Sequence, residues 1–275
     1  MTLAMPENIP EFMGRRARKR MGQTIVLTGM VLEAIPIGEY DKRITLLTRE
    51  RGKITAFAKG ARRQNSPLVA AANPFAFGEF EAYEGKSSYT IVKASIANYF
   101  RELVEDFENV YYGFYFLEIA DYYTRENADE LHMLKLLYQS LRALMKENLP
   151  NRLVRRVYEL KCMVINGEYP NVFSCMECAR EDGLRWFDPG RRGVLCDGCK
   201  RSAAAIPISE SALYAMQFVI TAPVEKLYTF TVSQEVLLTL ERILNEYMKH
   251  TLDRRFRSLQ ILEENLGFAE AVNPS

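Results

Sequence analysis

Only two histidines occur in the 275 residues, His132 and His250, and they precede Met133-Leu134 and Thr251-Leu252 respectively. Zinc-dependent nucleobase deaminases need a histidine ligand in an H-x-E setting, so that class is excluded. Cysteine is scarce as well, at five residues, too few for a small secreted fold built on disulfides. Charge of one sign is not in excess: 36 Lys+Arg against 35 Asp+Glu leave a formal net charge of +1. Attraction to a polyanion must then come from a local patch and not from a whole-molecule field. No apolar run is long enough to span a membrane. Catalytic signatures are missing too. Gly85-Lys86-Ser87 resembles the end of a phosphate-binding loop, but Phe80 stands where its first glycine is required, and a strand pattern comes next. There is no G-x-G-x-x-G, no nucleophile elbow and no carboxylate pair in an acid-base context, so a non-enzyme is expected.

The positive signals begin with the spacing of the cysteines. Cys175-Met-Glu-Cys178 and Cys196-Asp-Gly-Cys199 are separated by 17 residues, the interval of a four-cysteine zinc site. Each C-x-x-C turn brings two thiolates onto one ion. Between the pairs, Leu184–Phe187, Asp188-Pro189-Gly190 and Gly193–Leu195 read as strand, turn and strand. Four protein ligands leave no open coordination position, so one structural zinc per chain is expected, with Arg180, Lys200 and Arg201 offsetting the thiolate charge. Cys162 has no ligand spacing and reads as a packed thiol.

Composition and period divide the chain. Residues 1–22 carry the run Arg15-Arg16-Ala17-Arg18-Lys19-Arg20 and little apolar content, and read as a disordered basic arm or as sequence upstream of a start at Met21. The run imitates the head of an export signal, but Glu33 interrupts the apolar stretch and no small-residue cleavage site succeeds it, so a cytoplasmic location is expected. Five β-rich stretches, Thr24–Ala34, Ile44–Thr48, Lys53–Ala58, Phe77–Tyr83 and Tyr89–Ile96, alternate with glycine turns, and five strands are the count of an OB-type barrel. Beyond Phe100 the period becomes helical. Leu131, Leu134, Tyr138, Leu141 and Met145 line one face; Leu153, Val157, Leu160 and Val164 line another, ending at Asn166-Gly167. Helical pattern resumes over Ser209–Ile220 and from Ser233 to Tyr247. The expected fold is α+β: a disordered arm (1–22), an OB-fold domain (23–98), a helical domain (99–171 and 206–275) and a zinc module (172–205) embedded in it.

Charge is also unevenly placed. Residues 1–98 carry 15 Lys+Arg and 9 Asp+Glu, whereas 99–275 carry 21 and 26. Between positions 42 and 63, Lys42, Arg43, Arg49, Arg51, Lys53, Lys59, Arg62 and Arg63 face the single acid Glu50. On a small barrel this is a basic face. Cations beside aromatic platforms hold single strands by neutralising phosphates and stacking bases, which makes Lys42, Arg43, Lys53, Lys59, Arg62 and Arg63 the expected nucleic-acid contacts. Phe57, Phe75, Phe77, Tyr83 and Tyr89 are the candidate platforms. The competing reading is that the charges form a solvated face and the aromatics a core.

The segments Gly38-Glu-Tyr-Asp41, Leu46–Ile54 and Ala58-Lys-Gly-Ala-Arg-Arg63 with Ser66 resemble the N-terminal signature of the RecO family of bacterial DNA repair and recombination proteins. Glu159-Leu-Lys161, Gly167-Glu-Tyr-Pro170 and Arg255-Phe-Arg-Ser-Leu259 resemble its later landmarks, and the four cysteines match its zinc-bearing members. The resemblance implies mediation and not bond chemistry: binding of single- and double-stranded DNA, annealing of complementary strands, and joint action with RecR to help RecA replace single-strand-binding protein in the nucleoid. The tail of that last protein is acidic and ends in apolar residues. Its dock is expected on a basic-rimmed groove with Arg152, Arg155 and Arg156 at the rim. A different reading makes the cysteine hairpin, with Arg185, Arg191 and Arg192 near its turn, a zinc-ribbon interaction module in transcription or RNA assembly.

Overall fold

The computed structural model describes residues 24–266; the arm expected over residues 1–22 lies outside them. Two compact units are formed. The first takes the described residues through Glu105 together with Leu117–Tyr138, and the second takes Asp106–Phe116 and the described residues from Gln139 onward.

In the first unit, β1 (Thr24–Ile37), β2 (Asp41–Thr48), β3 (Gly52–Ala58), β4 (Phe77–Glu84) and β5 (Tyr89–Asn98) close into a barrel in the order β1-β2-β3-β5-β4. This is the OB architecture expected from the strand count. One long strand serves two neighbours because a bulge between Val31 and Glu33 bends β1. Its first half pairs with β4 and its second half with β2. Alternation puts Leu27, Val31, Ile44, Leu46, Ile54, Ala56, Phe80 and Ile91 into one core. A short helix, α1 (Leu68–Ala71), adds Leu68 to it. Where the barrel is tightest, Gly29 and Gly78 lie directly opposite each other. A Cβ on Gly78 would fall 2.2 Å from the carbonyl oxygen of Ser95, and one on Gly29 would fall 2.3 Å from that of Leu47.

Four helices carry the chain onward: α2 (Arg101–Glu105), α3 (Phe107–Tyr123), α4 (Leu131–Leu144) and α5 (Asn151–Ile165). The units do not follow a single cut near residue 98, because the chain between α3 and α4 returns to β3. The Lys53 N–H donates to the Arg125 carbonyl at 3.0 Å, and the Asn127 N–H to that of Arg51 at 3.0 Å. Tyr138 packs its ring 4.7 Å from Phe77.

In the second unit α5 is amphipathic, as its apolar spacing suggests, and is nevertheless buried along its length from Leu153 to Met163, polar face included. Its polar residues are buried in partnership. The Lys161 ammonium donates to the carbonyls of Val219, Ile220 and Ala222 at 3.1, 3.0 and 2.7 Å, closing the carboxyl end of the next long helix, α6 (Glu210–Thr221). Ser209 caps α6, and Ser233 caps α7 (Gln234–Thr251), each accepting from a backbone N–H of the first turn. A final helix, α8, runs over Arg257–Leu266.

The cysteine segment is a three-stranded sheet. β6 (Leu184–Asp188) and β7 (Gly193–Cys196) form the expected hairpin, and the two-residue β8 (Ile206–Pro207) adds to β6 beyond the expected module boundary. The Gln217 side chain donates to the Val172 carbonyl at 2.8 Å, and the Tyr247 hydroxyl to that of Glu168 at 2.6 Å. The first bond pins the module to α6, and the second pins the segment that leads into it to α7.

Candidate nucleic-acid interface and metal centre

Register decides which side chains share the outer face of the barrel. Arg43 stands opposite Phe57, Phe57 beside Thr90, and Thr90 opposite Tyr83. Residues directly opposite on neighbouring strands point to the same side. Arg43 and Tyr83 are exposed and Phe57 is half-buried, so this row offers a cation and two aromatic rings to solvent. At the end of the row, two turns are tied together. The Gly60 N–H donates to the Asp41 carboxylate at 2.7 Å, the Arg62 N–H to the Tyr40 carbonyl at 2.8 Å, and the Arg62 guanidinium to the Gly38 carbonyl at 3.0 Å. Arg63 lies 5.0 Å from the centre of the exposed Tyr40 ring. Lys59, Arg62 and Arg63 are exposed around it.

Several side chains named from the sequence are placed elsewhere. Phe75 and Phe77 are only 2% exposed and belong to the packed interior, so they cannot be stacking platforms. Tyr89 packs against the barrel core, where burial first and then the Glu84 charge raise its phenol above the ordinary range. Lys42 donates to the Ala72 carbonyl and the Asn73 side chain at 3.0 and 2.6 Å, and burial together with the Arg62 charge lowers its pKa. Lys53 donates to the Asp121 carbonyl at 2.5 Å and pairs with its carboxylate at 3.1 Å. Both lysines therefore tie the barrel to its neighbours, and the available cations are Arg43, Lys59, Arg62 and Arg63. Tyr40 is absent from the platforms expected from the sequence, although an aromatic in a turn between Gly38 and Asp41 has no core to fill and is a usable signal.

The four sulfurs of Cys175, Cys178, Cys196 and Cys199 lie within 4.8 Å of one another. Cys178 and Cys196 are 3.7 Å apart, which is too far for a disulfide and close to the ~3.8 Å edge of a thiolate tetrahedron around zinc at ~2.3 Å. Burial opposes ionisation of Cys175, but hydrogen bonds from the backbone N–H groups of Cys178 and Cys196 outweigh it and bring the thiol down to about 7. Cys199, hydrogen-bonded to the sulfurs of Cys178 and Cys196, is pushed up to about 12. Four thiolates so close need a cation among them, so the donor set fits a metal ion. The basic residues of the hairpin have other partners: Arg191 pairs with Glu177, and Arg185 pairs with Asp197 at 3.6 Å.

The three α5 arginines do not form an open rim. Arg155 and Arg156 are buried, donating to the two carboxylate oxygens of the fully buried Glu159 at 2.8 Å each, while the Tyr115 hydroxyl donates to the same carboxylate at 2.7 Å. Burial alone would raise the Glu159 pKa; the charges of Arg156 and Arg155 hold it below the ordinary carboxylate value. Arg152 donates to the Glu241 carboxylate at 2.8 Å. Arg156 alone reaches a hollow, a shallow one lined by Val157, Leu160, Met216, Val219 and Phe230. Its Nε is buried with no hydrogen-bond partner among the described residues.

Comparison with known proteins fits this arrangement. The family model described as "Recombination protein O N terminal" matches residues 21–100, and "Recombination protein O C terminal" matches residues 90–260. A DNA repair protein RecO of Acetivibrio thermocellus is 30% identical over 86% of this chain and 95% of its own length. The protein of the same name from Alkaliphilus metalliredigens is 30% identical over 86% and 97%; that of Thermoanaerobacter sp. is 29% identical over 83% and 93%. An OB-fold barrel joined to helices with an embedded four-cysteine module is thus the architecture of a DNA repair protein. The chain belongs to the RecO family.

Proposed function

We propose that this protein is a non-enzymatic recombination mediator. It binds single- and double-stranded DNA through the barrel, anneals complementary strands, and acts with RecR to help RecA load on DNA coated with single-strand-binding protein. The observation that carries the reading is the outer face that holds Arg43, the half-buried Phe57 and the exposed Tyr83 in one row, together with the turns where Lys59, Arg62 and Arg63 are exposed and Arg63 lies over the Tyr40 ring. Guanidinium and ammonium groups neutralise phosphates, and rings beside them accept unpaired bases. Zinc held by Cys175, Cys178, Cys196 and Cys199 supplies rigidity, since a four-thiolate site leaves no position for water.

The test is the variant Lys59→Glu/Arg62→Glu/Arg63→Glu in an annealing assay on complementary strands coated with single-strand-binding protein, with and without RecR. Annealing should be lost. In the absence of that protein, the slope of log affinity against log salt for single-stranded DNA should flatten by about 2, roughly 0.7 per contact removed. Binding as tight as wild type at matched salt would overturn the assignment of this face. A preference for RNA with no annealing of DNA would favour an RNA-assembly role.

A further inference from the structure

The turn between β1 and β2 sets an aromatic ring where the barrel has no core to fill. Gly38 takes a left-handed backbone with φ of 54°, a conformation that favours glycine, and it turns the chain ahead of Tyr40. The Tyr40 side chain is 47% exposed, yet its backbone is fixed. Three hydrogen bonds tie this turn to the one that leaves β3: from the Arg62 guanidinium to the Gly38 carbonyl, from the Arg62 N–H to the Tyr40 carbonyl, and from the Gly60 N–H to the Asp41 carboxylate. Arg63 is fixed as well. Its N–H donates to the Gly60 carbonyl at 2.9 Å and its carbonyl accepts from the Ser66 N–H at 3.0 Å. The guanidinium 5.0 Å from the Tyr40 ring centre and the ring itself are therefore held by one bonded pair of turns.

An arginine beside a ring is common and carries no function by itself. Arg101 lies 5.6 Å from the Tyr99 ring, but that ring packs against the barrel core, and Tyr89 packs there too. Core packing accounts for both. Tyr40 is outside that core, and the turn does not need the Arg63 contact, because the three hydrogen bonds already close it. The ring is a flat apolar surface kept in water beside a cation. Through Asp41 and Lys42 it leads directly into Arg43, the exposed cation of the outer row.

We propose that Tyr40 is the residue that distinguishes single from double strands: its ring takes one unpaired base, and Arg63 holds the phosphate beside that base. The proposal rests on the barrel face as a DNA contact, proposed above, and deepens it. Both kinds of strand carry phosphates, so Arg43, Lys59 and Arg63 attract either. Only the single strand has something for the ring. An unpaired base offers a free π face whatever its identity, whereas the bases of a duplex are already stacked on one another and paired. Tyr40 adds affinity for the single strand alone, with little preference among bases, and it does so without releasing counterions. Both properties suit a protein that holds strands of any sequence before they pair.

The experiment measures the affinity of the full-length protein for three probes of equal length: oligothymidine, a strand of abasic sites that keeps the phosphates and lacks the bases, and a blunt duplex. Tyr40→Ala should weaken oligothymidine binding at least about fivefold and leave the abasic strand and the duplex within about twofold. The slope of log affinity against log salt should stay as in wild type, whereas Arg63→Gln should flatten it by about 0.7 on oligothymidine. Tyr40→Trp should restore oligothymidine binding, which a ring needed only to close the turn would not do in the same probe-selective way. An equal loss on all three probes in Tyr40→Ala would make the residue structural and overturn the proposal, as would no loss on any. Wild-type affinity for the abasic strand equal to that for oligothymidine would also overturn it, since no base would then be held. Arg43→Glu/Lys59→Glu tests the underlying reading separately and should weaken all three probes together. If that variant bound every probe like wild type while Tyr40→Ala still lost oligothymidine alone, the phosphate contacts would be misassigned and the Tyr40 platform would stand. If wild type bound no probe, both would fail.

Discussion

Glu159 concentrates the chemistry of the second unit in one side chain. It is fully buried, receives two guanidinium groups and a phenol, and its charge keeps Arg155 and Arg156 paired. Removing one member of such a set leaves buried charge without compensation, at a cost of about 3–5 kcal/mol. Glu159→Gln should therefore lower stability by that order in urea denaturation at neutral pH. The carboxyl's folded pKa lies below its unfolded value, so its contribution is fully present above the ordinary carboxylate range and disappears as pH falls through the folded value. Wild type should consequently lose more stability than Glu159→Gln between about pH 6 and pH 3, as denaturation midpoints would reveal. Gly78 is a second single-residue constraint. With the Ser95 carbonyl oxygen only 2.2 Å from where a Cβ would sit, Gly78→Ala must spread β4 from β5, and a loss of about 3 kcal/mol is expected on denaturation.

Among the elements, the cysteine hairpin was the most legible, because spacing alone fixes which thiols can share an ion. Its third strand was not legible: Ile206-Pro207 is too short to show a period, and it becomes a strand only because β6 offers it an edge. Helix α5 departs from expectation in the opposite sense. Leu153, Val157, Leu160 and Val164 announce a helix, but Arg152, Arg155 and Arg156 beside them suggest a wet face. That face is covered, and its charges are paired with Glu159, Glu241 and Glu263 on α5, α7 and α8. The zinc assignment makes a prediction at this scale. Elemental analysis should find about one zinc per chain, lost in Cys175→Ser/Cys196→Ser, and chelation should lower the melting temperature of wild type but not of that variant. A native preparation without metal would refute it.

For the molecule as a whole, the near balance of charge has its own consequence. With a formal net charge of +1 and a sequence pI near 7.6, there is little long-range field to keep copies apart near neutral pH. Solubility at low salt should pass through a minimum near pH 7.6 and rise on either side, as concentration after ultracentrifugation would measure. On the proposed function, DNA attraction must then be short-ranged, acting through the barrel face. The units themselves were only partly legible. A change of period near Phe100 marks where strands give way to helices, but it cannot reveal that Leu117–Tyr138 groups with the barrel, since that depends on hydrogen bonds from the Asn127 N–H and the Lys53 N–H.

The sequence by itself determined the features that depend on local spacing: five strands from alternation, helices from a period near 3.6, a four-cysteine cluster able to hold a metal from paired C-x-x-C, and the family from its short motifs. Tertiary structure decided everything that depends on partners distant in sequence. It gave Lys42 and Lys53 hydrogen-bond partners at Ala72 and Asp121, placed Phe75 and Phe77 in the packed interior, and brought Arg192 to the end of α7. The physical reason is that spacing specifies which way a side chain points. Only the folded chain specifies what it meets there, and a charge has one role opposite a carboxylate and another facing water.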